Sequence, residues 1–174
     1  ATQWLPWITE ALDQARAQGL CLPVVYNTGG YETVDTVRAL AGYVDIWLAD
    51  YKYASPALAQ QLSAAADYPA VADAAIRQML IQTGAPVFDG EGFLKRGVIV
   101  RHLVLPGHSE DSIAVLRRCD ALRKETGVEF VPSLMSQFTP FHRAAEQSLA
   151  RRVTTYEYRK VVNAAVELGL TEGY

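Results

Sequence analysis

Cysteine is almost missing from this chain. The two residues present, Cys21 and Cys119, lie far apart, and neither has a second Cys or a His at metal-ligand spacing. That excludes a disulfide framework and a cysteine-rich metal knuckle, and it makes a reducing, cytoplasmic setting the default expectation. Both thiols are read as reduced, half-buried structural residues, Cys21 just before a strand and Cys119 in an amphipathic helix. Long apolar runs are missing too: nothing approaches the roughly 18–20 residues that span a bilayer, so no membrane segment is expected. No cationic start leads into an apolar run, so no export signal is expected. Neither sign of charge dominates. Sixteen Lys and Arg are scattered among 19 Asp and Glu for a net charge of −3, which argues against a nucleic-acid surface. The chain does not open on Met, and we read it as a fragment or a processed product.

What remains is apolar residues, half of the 174, enough for one domain over residues 1–174 with a real core. They fall into alternating helical and strand-like runs. Gln3 to Gln18 reads as a helix with Leu5, Ile8, Leu12 and Ala15 on one face, Pro6 in its first turn and Gly19 as its stop. Leu22 to Asn27 reads as a buried strand, Val34 to Leu40 as a short helix, and Val44 to Ala49 as a strand ending at Asp50. Ser55-Pro56 opens a helix to Ala65. A second runs from Pro69 to Gln82. Asp89-Gly90 signals a hairpin whose second arm leads into a strand over Val98 to Leu105. Ser109 to Lys124 is an amphipathic helix, Val128 to Val131 a strand, and Pro132 to Gln147 irregular. Thr154-Thr-Tyr-Glu157 is a capping box opening a helix to Leu168.

Four uniformly apolar strands joined by helices imply a parallel sheet covered by helices, an α/β fold. In such folds ligands sit at the carboxyl ends of the strands. Those ends carry Asn27 and Thr28, Asp50 and Lys52, and Arg101 with His102, while the last strand leads through Pro132 and Ser133 to Met135 and Gln137. Oxygens of Asn27, Thr28 and Asp50 suit a small cation or an ammonium; Lys52 and Arg101 suit a carboxylate. Bland readings compete. Asp50-Tyr-Lys52 also fits a solvated turn with a loop salt bridge, His102 a packing residue on the helix side, and His108 and His142 exposed loop residues. Trp4, Trp7 and Trp47 are expected in the core or at a subunit contact. Several polar strand ends together favour a site.

The segments Val24-Val-Tyr-Asn-Thr-Gly-Gly-Tyr31, Asp45-Ile-Trp-Leu-Ala-Asp-Tyr-Lys-Tyr53 and Val98-Ile-Val-Arg-His-Leu-Val-Leu-Pro-Gly107 resemble the radical S-adenosylmethionine superfamily, in particular proteins like the pyruvate formate-lyase activating enzyme. Ser133-Leu-Met-Ser-Gln-Phe-Thr-Pro140 resembles the late strand-to-loop region of an uncharacterised branch of that group. Order and spacing agree from about Gln3 to Tyr174. The resemblance implies a partial (β/α) barrel, truncated at its amino terminus, with S-adenosylmethionine across the strand tops and a [4Fe–4S] cluster. It further implies a monovalent cation near Asn27, Thr28, Leu48 and Asp50, with Lys52 and Arg101 lining the cofactor and substrate site. Leu103 falls on a backbone contact to adenosine. Leu134 stands where the family has a His, with Gln137 as the nearby polar alternative.

The family's Cys-x-x-x-Cys-x-x-Cys loop and Gly-Gly-Glu stretch do not occur in this sequence, and Ala1 to Pro6 aligns directly after the latter. Two distant cysteines cannot supply three thiolates, so the chain alone is not expected to cleave S-adenosylmethionine. In the whole enzyme the resemblance implies a 5′-deoxyadenosyl radical, directed at a glycyl-radical-type partner protein or at a small molecule. Two alternatives stay open: a Schiff-base barrel aldolase using Lys52, and a non-catalytic pairing module with an exposed sheet edge.

Overall fold

The structure is a computed structural model that describes residues 2–141 and 149–171. His142, expected in an exposed loop, lies outside the described residues. A 3₁₀ turn at Thr2–Trp4 leads into α1 (Leu5–Ala17), followed by β1 (Val25–Thr28), α2 (Val34–Ala39) and β2 (Ile46–Asp50). Two helices come next, α3 (Pro56–Ser63) and α4 (Tyr68–Thr83), then the arms of a hairpin, β3 (Val87–Phe88) and β4 (Leu94–Leu103). The chain continues through α5 (Ser109–Thr126), β5 (Val131–Met135) and α6 (Thr155–Glu167).

Local chemistry explains most of these boundaries. Ser55 Oγ accepts the Leu58 N–H and Pro56 occupies the first turn of α3, satisfying donors that a helix start leaves unpaired. Thr154 and Glu157 close the expected capping box at α6. The last strand differs from expectation. It runs over residues 131–135 rather than 128–131 and carries Pro132 within it. Among the described strands β5 pairs only with β4, and on such an outer strand the missing proline N–H points away from the ladder at no cost.

Strands β1, β2, β4 and β5 are parallel neighbours in that order, and β3 pairs antiparallel with the start of β4. The register sets Asn27 beside Leu48 and Ile99, and Asp50 beside Arg101 and Ser133. Side chains alternate across a strand, so the sheet has two distinct faces. One carries Tyr26, Thr28, Trp47, Ala49, Val98, Val100, His102 and Leu134, all buried. Over it pack α2, α4, α5 and α6, contributing Val37, Ile76, Met79, Leu116, Leu122 and Val161 to a single core. Chain order β–α–β with parallel neighbours makes this helix layer necessary.

The opposite face is sparsely covered. Val25 is 53 % exposed, and Leu48, Ile99, Arg101, Leu103, Val131 and Met135 are only partly buried. Trp4 and Trp7 stay out of the core, 57 % and 61 % exposed, whereas Trp47 is fully buried. The two exposed rings lie against each other instead, 5.5 Å between centroids. Helix α1 buries none of its residues fully; Leu5 packs half-buried against the core, and Arg16 donates to the carbonyls of Gly42 and Tyr43. Cys21 is exposed and Cys119 buried, so neither is half-buried. Burial pushes the Cys119 thiol up to about 12, which keeps it protonated and inert.

Candidate functional site

The sparsely covered face ends, at the carboxyl tips of the strands, in a cleft of about 810 Å³. Asp50, Lys52 and Arg101 form its charged end; Leu103, Leu105, Met135 and Phe138 form an apolar wall. Its rim comes from α3, through Gln61, Leu62, Ser63 and the left-handed Ala64 that ends the helix. Of the two helices between β2 and β3, α3 therefore does more than pack outside the sheet.

The charged end is ordered by the sheet register. Asp50 and Arg101 are direct neighbours on β2 and β4, and Arg101 Nη2 reaches Asp50 Oδ1 at 2.6 Å. The same nitrogen donates to Asn27 Oδ1 on β1 at 2.7 Å. Three strand tips are thus bound by one guanidinium. Lys52 Nζ stands 4.0 Å from Asp50 Oδ2 with its side chain 45 % exposed, above the backbone of Gly29. It is the more accessible cation. Arg101 Nε is shut off from solvent without a hydrogen-bond partner, an exception to the pairing that buried polar groups normally find, while Asp50 Oδ1 is held by its ion pair with Arg101 Nη2.

Of the six residues singled out from sequence, Asp50, Lys52, Arg101 and Leu103 line the cleft and Asn27 joins them through Arg101. Thr28 does not. It points to the helix-covered face, where its hydroxyl donates to Glu32 and accepts the Gly30 N–H. Leu134 is buried on that face too, its carbonyl accepting the Tyr158 hydroxyl. Gln137 belongs to a smaller hollow with Thr154 and Tyr158.

His102 alternates with Arg101 and lies in the core, its Nδ1 donating to the Tyr51 carbonyl at 2.7 Å. Its Nε2 is buried without a partner. Burial holds the imidazole below its ordinary range, and hence neutral, against the pull of the Tyr51 carbonyl and of Asp111 and Asp50. It is a packing residue that also fixes the chain between Asp50 and Lys52.

Sequence reading missed Tyr68. Its hydroxyl accepts the Lys52 N–H and faces the carbonyls of Gly29 and Asp50, all at 2.9 Å, donating its one proton to either. One buried hydroxyl therefore holds the tips of β1 and β2 together. Tyr31 stacks on its ring and Tyr53 meets it edge-on. Gly30 completes the junction: it has φ +78°, and a Cβ there would fall 2.1 Å from the Asp50 carbonyl oxygen. The only sequence signal was a tyrosine-rich neighbourhood, which periodicity alone assigns to packing.

Metal chemistry finds little support in these side chains. Among the described residues no three His, Cys, Asp or Glu converge on one point, and the two cysteines are one exposed, one buried. The described residues do not fit an iron–sulfur cluster, which takes three or four thiolates.

No protein-family profile matches the chain. It is similar to an uncharacterized protein of Methanocaldococcus jannaschii, 30 % identical over 150 residues that make up 86 % of this chain and 39 % of that protein. The chain spans well under half the length of this relative.

Proposed function

We propose that the cleft binds S-adenosylmethionine, and that this chain is the cofactor-holding part of a radical S-adenosylmethionine enzyme of activating-enzyme type. Such a cofactor pairs a charged amino-acid end with a flat, largely apolar nucleoside, and the cleft is built the same way. Lys52, the more exposed cation, would hold the carboxylate. Leu103 and Met135 would flank the nucleoside. Asp50 and Arg101 would stiffen the corner between them, and exclusion of water by Leu105 and Phe138 would strengthen every charge contact inside. When bound, the cofactor supplies a sulfonium open to reductive cleavage; the chain's part is binding and orientation. The observation that carries the reading is the convergence of Asp50, Lys52, Arg101 and Leu103 on one cleft.

The sparsely covered sheet face supports a companion proposal, that the sheet is one part of a barrel whose remaining strands come from chain beyond these residues. The relative's greater length is in keeping with it. The target of the reaction, a glycine on a partner protein or a small molecule, is left to that whole enzyme.

Calorimetric titration with S-adenosylmethionine tests the binding claim. Saturable binding is expected for the wild-type chain, with adenosine alone much weaker. Lys52→Ala should weaken binding about tenfold, on the order of 1.4 kcal/mol, the worth of one charge-assisted contact. No binding by the wild-type chain, or equal binding by K52A, would overturn the reading.

A further inference from the structure

Asn27, Thr28 and Asp50 together have the donor set of a small-cation site, an amide, a hydroxyl and a carboxylate at neighbouring strand tips. Their oxygens are already engaged. Asn27 Oδ1 accepts from Arg101 Nη2 at 2.7 Å. Asp50 Oδ1 lies 2.6 Å from the same nitrogen. Thr28 Oγ1 is turned to the other face and bound to Glu32 and Gly30. The Asp50 carbonyl faces the Tyr68 hydroxyl, and Leu48 sits within the ladder between Asn27 and Ile99. Asp50 Oδ2 remains, 4.0 Å from Lys52. One carboxylate oxygen is not a cage, since hard cations gather several oxygens at once.

We propose that the Arg101 guanidinium is the built-in cation of this corner, filling the Asn27–Asp50 oxygen pair so that the site works without a bound alkali-metal ion. The inference stands on side-chain geometry, whatever ligand the cleft accepts. Register makes it possible: Asp50 and Arg101 are paired across β2 and β4, and a single guanidinium nitrogen, Nη2, meets one oxygen of Asn27 and one of Asp50. The amide at position 27 completes the logic. With Asn27 the Asp50–Arg101 pair is neutral; a second carboxylate there would leave a net negative charge that draws in a further cation. Lys52 then gives the corner a surplus of one positive charge, which favours an anionic ligand group and opposes an incoming cation.

Thermal unfolding in sodium, potassium and choline chloride at equal ionic strength tests this, with sodium-23 relaxation as a direct readout of ion binding. The wild-type midpoints are expected to coincide, with no saturable sodium broadening. Arg101→Met keeps an apolar stem and vacates the oxygens. Its midpoint is expected to fall by roughly 4–8 °C in choline and to recover partly and saturably in sodium or potassium. Adding Asp50→Asn to that variant should abolish the recovery. A saturable, sodium-specific rise in the wild-type midpoint would overturn the proposal, as would a folded R101M that ignores the cation. Should R101M not fold in any salt, Arg101→Lys serves instead: its ammonium still fills the corner, no cation response is expected, and a sodium-specific rise would again overturn the claim.

Discussion

Tyr68 shows how much one buried hydroxyl can organise. Removing it as Tyr68→Phe leaves the ring contacts with Tyr31 and Tyr53 in place but strips partners from the Lys52 N–H and from the carbonyls of Gly29 and Asp50. An unsatisfied buried backbone group costs about 1–3 kcal/mol, and partial access to water at the loop keeps the total near the lower end. We expect Y68F to lose about 1–2 kcal/mol in urea unfolding, with amide exchange accelerated at Lys52 far more than at Val98 or Val100. Uniform acceleration would mean that Tyr68 contributes packing and no local clamp. Nothing in the periodicity of the sequence identified this residue, because the hydroxyl acts through backbone atoms of two loops that only the fold brings together. Asp50 and Arg101 were legible for a simple reason: a charge at the end of an apolar strand-like run is costly unless it serves something.

At the scale of elements, α6 is the clearest case of a helix specified by its own sequence. Thr154 Oγ1 accepts the Glu157 N–H, while Glu157 Oε2 accepts the Thr154 N–H in return. The structure adds two partners that the capping box does not predict. Arg151 forks onto both Glu157 oxygens at 2.8 Å, and Gly107, in the loop after β4, donates its N–H to Oε1 at 2.7 Å. A local cap thus doubles as a tie between α6 and the tip of the central strand. Arg151, with the amides of Thr154 and Gly107, holds the Glu157 carboxyl far below the usual range. Glu157→Gln keeps the shape but weakens the charge-assisted bonds from Arg151, Thr154 and Gly107, and should cost about 1–2 kcal/mol near neutral pH. Because the folded carboxyl is depressed, its contribution is present above about 4.5 and lost as pH falls below that, so the E157Q deficit should shrink in acid. A constant deficit from neutral to acid pH would show that the charge is immaterial.

For the molecule as a whole, His102 sets an acid limit. The group is neutral and buried in the fold but titrates near its ordinary 6.5 once unfolded. Below that value the unfolded chain takes up a proton that the folded chain refuses, so stability is full above about 6.5 and declines as pH falls, by up to about 1.4 kcal/mol per pH unit. Denaturant unfolding between about pH 7.5 and 5.5 should show the decline, and His102→Gln should flatten it. An identical slope in H102Q would assign the effect to other groups. The effect is global because His102 sits on β4, which pairs with β2, β3 and β5.

Alternation of apolar strands and helices, capping residues and turn signals by themselves determined an α/β chain with a parallel sheet, the helix positions and the strand tips where a site would form. These are short-range properties, set by propensity and by which groups tolerate burial. Only the tertiary structure decided which polar tips meet. It turned Thr28 and Leu134 toward the helices, extended the last strand through Pro132, brought α3 to the cleft, placed the Tyr68 hydroxyl between the tips of β1 and β2, and set Arg101 between Asn27 and Asp50. Those outcomes depend on register and on contacts between residues distant in sequence, and a shift of one residue in a strand would turn that strand's side chains to the other face.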